Sequence, residues 1–191
     1  MPISHQESHQ IAVHASLGDT LALATCVRNL AMREGVSPAE VLMECKDDFQ
    51  QTAAHAAAKA GQTRSIETLA ELLGSTANKS TYFNLQNRFS GDRPVHTAMR
   101  HGFFTTFKAL VANGADPTAK NRFGDSVTDF LGDFEPEEVR SIVDQYKRGS
   151  ADGKNDPNGK VSVACVQTKR HGWIVLVADK ALRLECPMNA A

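Results

Sequence analysis

Seven histidines and four cysteines are the side chains of this sequence best suited to nucleophilic, proton-transfer or metal chemistry. The nearest Cys–His pair along the chain, Cys165 and His171, straddles an expected turn at 169–172. Strand alternation does not bring those two side chains together, and no third group stands ready to orient the imidazole. Cys26, Cys45, Cys165 and Cys186 are too widely spaced for a CxxC zinc pattern, and no His pair joins them at ligand spacing. Glu137 and Glu138 are adjacent, so on a helix they do not share a face and cannot act as a carboxylate pair. "GSADGKNDPNGK" at 149–160 resembles a calcium loop only superficially, because Lys154 and Val163 fall where oxygen ligands are needed. Serine-hydrolase elbows, His-Glu-x-x-His, phosphate loops and dinucleotide fingerprints are all absent. The expectation is a non-catalytic chain with no metal and no cofactor.

Two of the histidines mark something else. His55 in "TAAHAAAKAG" and His96 in "RPVHTAMRHG" are each followed by Ala two places on and Gly six places on, Gly61 and Gly102. Ile66 or Phe107 stands eleven places after each, and Leu69 or Leu110 fourteen. His14 precedes His55 by 41 positions, the His55–His96 spacing, and Asp129 follows His96 by 33. The phrase Asn87-Arg88-Phe89 returns as Asn121-Arg122-Phe123, each time followed closely by Gly-Asp. Modules of about 33 residues, two of them lengthened, account for this spacing.

At these residues the sequence resembles the ankyrin repeat. The better copy reads Asn87, Gly91-Asp92-Arg93-Pro94-Val95-His96-Thr97-Ala98, Gly102, Leu110 and Gly114-Ala115-Asp116. The next best has Asp47, Thr52-Ala53-Ala54-His55-Ala56-Ala57-Ala58, Gly61 and Leu72-Leu73. Arg93 stands where the pattern has Thr, Gln50 where it has a turn Gly, and Asp129 where it has the third His. The resemblance implies a mainly α solenoid of helix–turn–helix units joined by turns or hairpins. Its repeats would fall at about 10–45, 47–86, 87–120 and 121–148, forming a domain over 1–148. It also implies that His55 and His96 tie neighbouring repeats together rather than doing chemistry. Gly114 is expected to stop a helix ahead of Pro117, since Gly tolerates the left-handed cap and Pro cannot continue the coil.

Local signals place the elements around this frame. Ser37, Pro38 and Glu40 form a capping box with Pro at N1, predicting a short extra helix over 37–45. The polar stretch 74–86 reads as an ordered loop despite Tyr82, Phe83 and Leu85. A last helix is expected from Pro136 to Gly149, with Val139, Ile142, Val143 and Tyr146 on its apolar face. A linker follows at 149–160. Alternation in 161–191 then predicts a short β-meander of two or three strands, serving as a cap or a contact element.

Composition limits the partners. A net charge of −1 gives no long-range pull on nucleic acid or anionic membrane, and no apolar run is long enough to span a bilayer. With no basic–apolar leader at the start, the expected location is cytoplasmic, and a secreted effector is compatible with the same residues. In the implied stack, turn tips and inner helices form one concave surface. Mapped there, the expected partner-binding residues are Phe49, Gln51, Lys59, Arg88, Phe89, Asp92, Arg100, His101, Arg122, Phe123 and Asp125. Arg and aromatic side chains are the usual anchors of interfaces. The expected partner is another protein offering an acidic segment, and the chain itself a monomer or weak homodimer. A second reading makes it a structural component that self-assembles through the C-terminal strands.

Overall fold

The computed structural model describes residues 3–130, 137–151, 165–167 and 173–175. It divides into two units, 1–155 and 156–191. The first is helical. Three antiparallel pairs follow one another: α1 (His5–Leu17) with α2 (Thr20–Glu34), α4 (Ala53–Lys59) with α5 (Thr63–Leu73), and α7 (Pro94–Arg100) with α8 (Phe104–Ala112). The inner helices α1, α4 and α7 pack in sequence, and α7 meets a short 3₁₀ turn at Val127–Phe130. The outer helices α2, α5 and α8 stack alongside them. The last helix, α9 (Glu137–Ala151), buries Val139 and Val143 and pairs Glu138 with Lys108 on α8. It runs through Gly149 to Ala151 instead of stopping at Gly149, so the expected linker begins later.

Small side chains let these helices approach closely. Ala53, Ala54, Ala57 and Ala58 are all buried on α4, which lies between α1 and α7. Ile66, Leu69 and Leu73 line the buried face of α5, and Phe107 and Leu110 that of α8. Each pair turns at a glycine with positive φ: Gly18, Gly61 and Gly102. At Gly61 the approach is also tight, because a Cβ there would lie 2.6 Å from the Phe103 ring, whereas one on Gly102 would meet nothing within 4 Å. Gly61→Ala should therefore cost about 2 kcal/mol and Gly102→Ala about 1 kcal/mol, the backbone penalty alone. Urea midpoints of the two variants check this, and Phe103→Ala should rescue part of the first loss only.

The turn glycines correct the register of the first pair. His55 and His96 stand six places before Gly61 and Gly102, but six before Gly18 is Ala12. His14 matches Ala57 instead and takes no part in the histidine pattern. α1 is also longer than the other inner helices, at 13 residues against 7.

Both insertions are helical. α3 (Pro38–Glu44) starts as expected: Ser37 Oγ accepts from Glu40 N at 3.3 Å and Glu40 Oε2 accepts from Ser37 N at 2.7 Å. The stretch 74–86, read as a loop, instead forms α6 (Thr76–Phe83), with Ser75 as N-cap and Asn78 Nδ2 donating to Leu73 O at 3.2 Å. Tyr82 and Phe83 are fully buried in edge-to-face contact at 5.6 Å. α3 packs on α2, α5 and α6, and α6 packs on α5, so the insertions make a third row beside the outer helices.

In the second unit, β1 (Cys165–Gln167) pairs antiparallel with β2 (Trp173–Val175), Val166 opposite Ile174. The strand expected around 182–186 lies outside the described residues, as does the 152–160 linker.

Candidate protein-binding surface

Among the described residues the chain makes three tight turns beside its helix pairs, here called tips, each organised by one Asp or Asn side chain. Asp47 Oδ1 accepts from Phe49 N and Gln51 N at 2.9 and 2.7 Å. Asn87 Oδ1 accepts from Ser90 N and Gly91 N, both at 3.0 Å. Asn121 Oδ1 accepts from Phe123 N and Asp125 N, both at 2.9 Å. The recurring Asn-Arg-Phe is thus an Asx turn written twice, with Asp47 beginning a third. Each tip closes on itself, through Asp47 N to Gln51 O, Asn87 N to Asp92 O and Asn121 N to Asp125 O. The left-handed position is held by Gln50 (φ 57), Gly91 (φ 67) and Gly124 (φ 88).

Histidines fasten the tips to the stack. His55 Nδ1 accepts from Thr52 N at 3.1 Å while its Nε2 donates to Asp92 O at 3.1 Å. His96 repeats this with Arg93 N at 3.2 Å and Ala119 O at 2.9 Å. A backbone N–H can only donate and a carbonyl only accept, so both rings are neutral with the proton on Nε2. Burial favours that form: it depresses the His55 pKa to about 4 and lowers that of His96. In the fourth position Asp129 keeps the local half of the device, accepting from Ser126 N at 2.6 Å, and its shorter side chain makes no bond to a further repeat among the described residues. Arg93, in the usual Thr place, donates to Asn84 Oδ1 at 3.0 Å and faces Asp116 at 3.5 Å, tying the end of α6 to the turn after α8.

The expected binding residues separate into three groups. Phe49, Phe89 and Phe123 are 45%, 67% and 73% exposed at the tips. Lys59, Arg88 and His101 are also exposed, and Lys59 and Arg88 have no carboxylate partner among the described residues. His101 stacks on Phe103 with ring centroids 6.4 Å apart. The second group is already engaged within the protein. Arg122 donates to Arg88 O, and Arg100 pairs with Asp92 at 2.8 Å while lying 4.7 Å from the Phe130 ring centroid. Gln51 and Asp125 are half-buried in their own turns. Asp92 falls in neither group, at 2% exposed and behind the tips: it accepts from Ser90 Oγ at 2.7 Å and Asn121 Nδ2 at 2.9 Å. It is a buried hub joining the second tip to the third, out of a partner's reach.

Sequence reading missed the phase of the aromatic rings. The second tip carries one residue more than the others, Ser90, between Phe89 and its left-handed glycine. The Phe89 ring lies 5.2 Å from that of Phe49 on the first tip. Phe123 has no ring partner of this kind among the described residues. "NRFSGD" against "NRFGD" was the signal. The tips present an aromatic pair and a single ring, with the Arg122 side chain close above Gly91.

Among the described residues no three His, Cys, Asp or Glu converge as ligands for a metal ion. Surface hollows of about 330 Å³ and 250 Å³ flank α1, α2 and α3. No helix among the described residues is long and apolar enough to cross a membrane.

A family model described as ankyrin repeats (three copies) matches residues 18–121. The chain is 30% identical over 129 residues to a Caenorhabditis elegans protein, the ankyrin repeat and LEM domain-containing protein 2 homolog. That match covers 57% of this chain and spans 21% of the relative's length. The fold is similar to a chain in the crystal structure of the yeast ribosomal protein Rps3 in complex with its chaperone Yar1, with a TM-score of 0.58 and 24% identity, covering 77% of this chain and 95% of that one.

Proposed function

Since the chain belongs to the ankyrin-repeat family, whose members are generally non-catalytic interaction modules, we propose that it binds another protein through its tips and inner-helix face. One observation carries this reading. Three phenylalanines stand exposed at successive tips whose geometry is already fixed by Asx turns, backbone bonds and His55 and His96. The fold makes little use of Phe123, and such rings are the usual anchors of an interface. The solved neighbour comes from a complex of two proteins, which supports the same use of the fold. Lys59 and Arg88, without a carboxylate partner among the described residues, supply cations for an acidic stretch of the partner, and the cytoplasm is the proposed setting. Recruiting or inhibiting the partner would both follow from the same surface.

The test compares wild type with Phe89→Ala/Phe123→Ala for capture of a partner from lysate of the source organism, after circular dichroism shows both folded. Binding should weaken by about 2 kcal/mol or more in the double variant. Equal retention by both would make the aromatic tips architectural and place binding elsewhere.

A further inference from the structure

Each tip hands one backbone acceptor to the next. The carbonyl just before the left-handed residue accepts from the second residue of the following turn: Phe49 O from Arg88 N at 2.7 Å, and Ser90 O from Arg122 N at 2.8 Å. In the same register the third tip offers Phe123 O, directly before Gly124. No donor reaches that carbonyl among the described residues. The ring on the same residue is 73% exposed.

We propose that the third tip is a docking edge for an extended segment of a partner protein, which donates a backbone N–H to Phe123 O and lays an apolar side chain on the Phe123 ring. This rests on the protein-binding reading above and assigns it a place and a mode. Continuity argues for the occupant: two bonds of this kind already join tip to tip, and a partner strand supplies the third, as peptides add to open edges elsewhere. The exposed Phe123 ring argues for its chemistry, since it sets an apolar face beside the open carbonyl. An aromatic or large aliphatic residue fits it best.

The experiment selects phage-displayed random dodecapeptides on the full chain, then measures the enriched sequences as synthetic peptides. Enriched peptides should share an aromatic or aliphatic residue and lose about tenfold or more in affinity against folded Phe123→Ala. N-methylation of a single backbone amide beside that residue should abolish binding, and the ¹³C′ resonance of Phe123 should move downfield on binding. Peptides that bind Phe123→Ala as well as wild type, or leave the carbonyl unmoved, overturn the proposal. If those peptides instead fail against Phe49→Ala/Phe89→Ala, the general binding reading survives while the docking edge does not. Failure to enrich any peptide counts against both. A concentration-dependent carbonyl shift without peptide assigns the edge to a second copy and overturns the partner assignment.

Discussion

Acidification below pH 6.5 should strip stability from the repeat domain well before its carboxylates protonate. His55 is neutral and fully buried, with its pKa depressed to about 4 from an ordinary 6.5. The unfolded chain therefore binds this proton more readily than the native state does. The stabilisation is complete above pH 6.5 and drains away as pH falls toward 4. From the size of the depression, His55 alone accounts for a loss on the order of 3 kcal/mol across that window. His96, lowered by the same burial, adds to it. His5 works in the opposite sense, since its bond to Asp48 raises its pKa, but that pair lies in solvent and its contribution is small. Urea midpoints at pH 7, 6, 5 and 4.5 measure the slope. His55→Gln should be less stable at pH 7, by about 1–3 kcal/mol for buried backbone groups left without partners, yet titrate with a flatter slope. An unchanged slope in that variant would remove His55 as the cause.

Phe83→Ala should be among the most damaging single changes in the chain. Phe83 is fully buried at the end of α6, in contact with Tyr82. Truncating a buried phenylalanine costs about 3–5 kcal/mol in lost transfer energy and unfilled space. That is a large share of the total for a domain of this kind, about 5–15 kcal/mol. If 74–86 were a surface loop, the same change would cost about 0.5 kcal/mol or less. Equilibrium denaturation separates these outcomes, and Thr76→Ala on the exposed side of α6 serves as the control that should move little.

Much of the fold was legible because its repeating devices need particular side chains. His suits this place because one ring nitrogen accepts from a backbone N–H while the other donates to a neighbouring carbonyl, as at His55 and His96. Asp47, Asn87 and Asn121 recur because an Asx turn needs a short acceptor, and Ser37-Pro38-x-Glu40 announces a helix start through local bonds alone. What was illegible depended on tertiary partners. α6 has poor local helix signals (Thr, Asn and Ser fill it), and the burial of Tyr82 and Phe83 overrides them. His14 misled because it reproduced a spacing, whereas the longer α1 had shifted its register. Asp92 looked like a surface acid beside a turn glycine. Only the packed neighbours Arg100, Ser90 and Asn121 reveal a buried carboxylate that is fully satisfied. The single extra residue at Ser90 was in plain view, but the pairing of the Phe49 and Phe89 rings needs the structure to be seen.

The third row of helices gives the stack a mechanical direction. α3 touches α2, α5 and α6, so it braces the junction between the first two helix pairs along a second seam. Beyond α8 no third-row helix follows among the described residues, and the chain passes directly through turns to the third tip and the 3₁₀ segment. A linear stack held by neighbour contacts yields first where it is least braced. Pulled by its two ends, this one would peel from α9 inward and keep the α1–α6 half folded longest. The aromatic pair of Phe49 and Phe89 would outlast the lone ring of Phe123 under load.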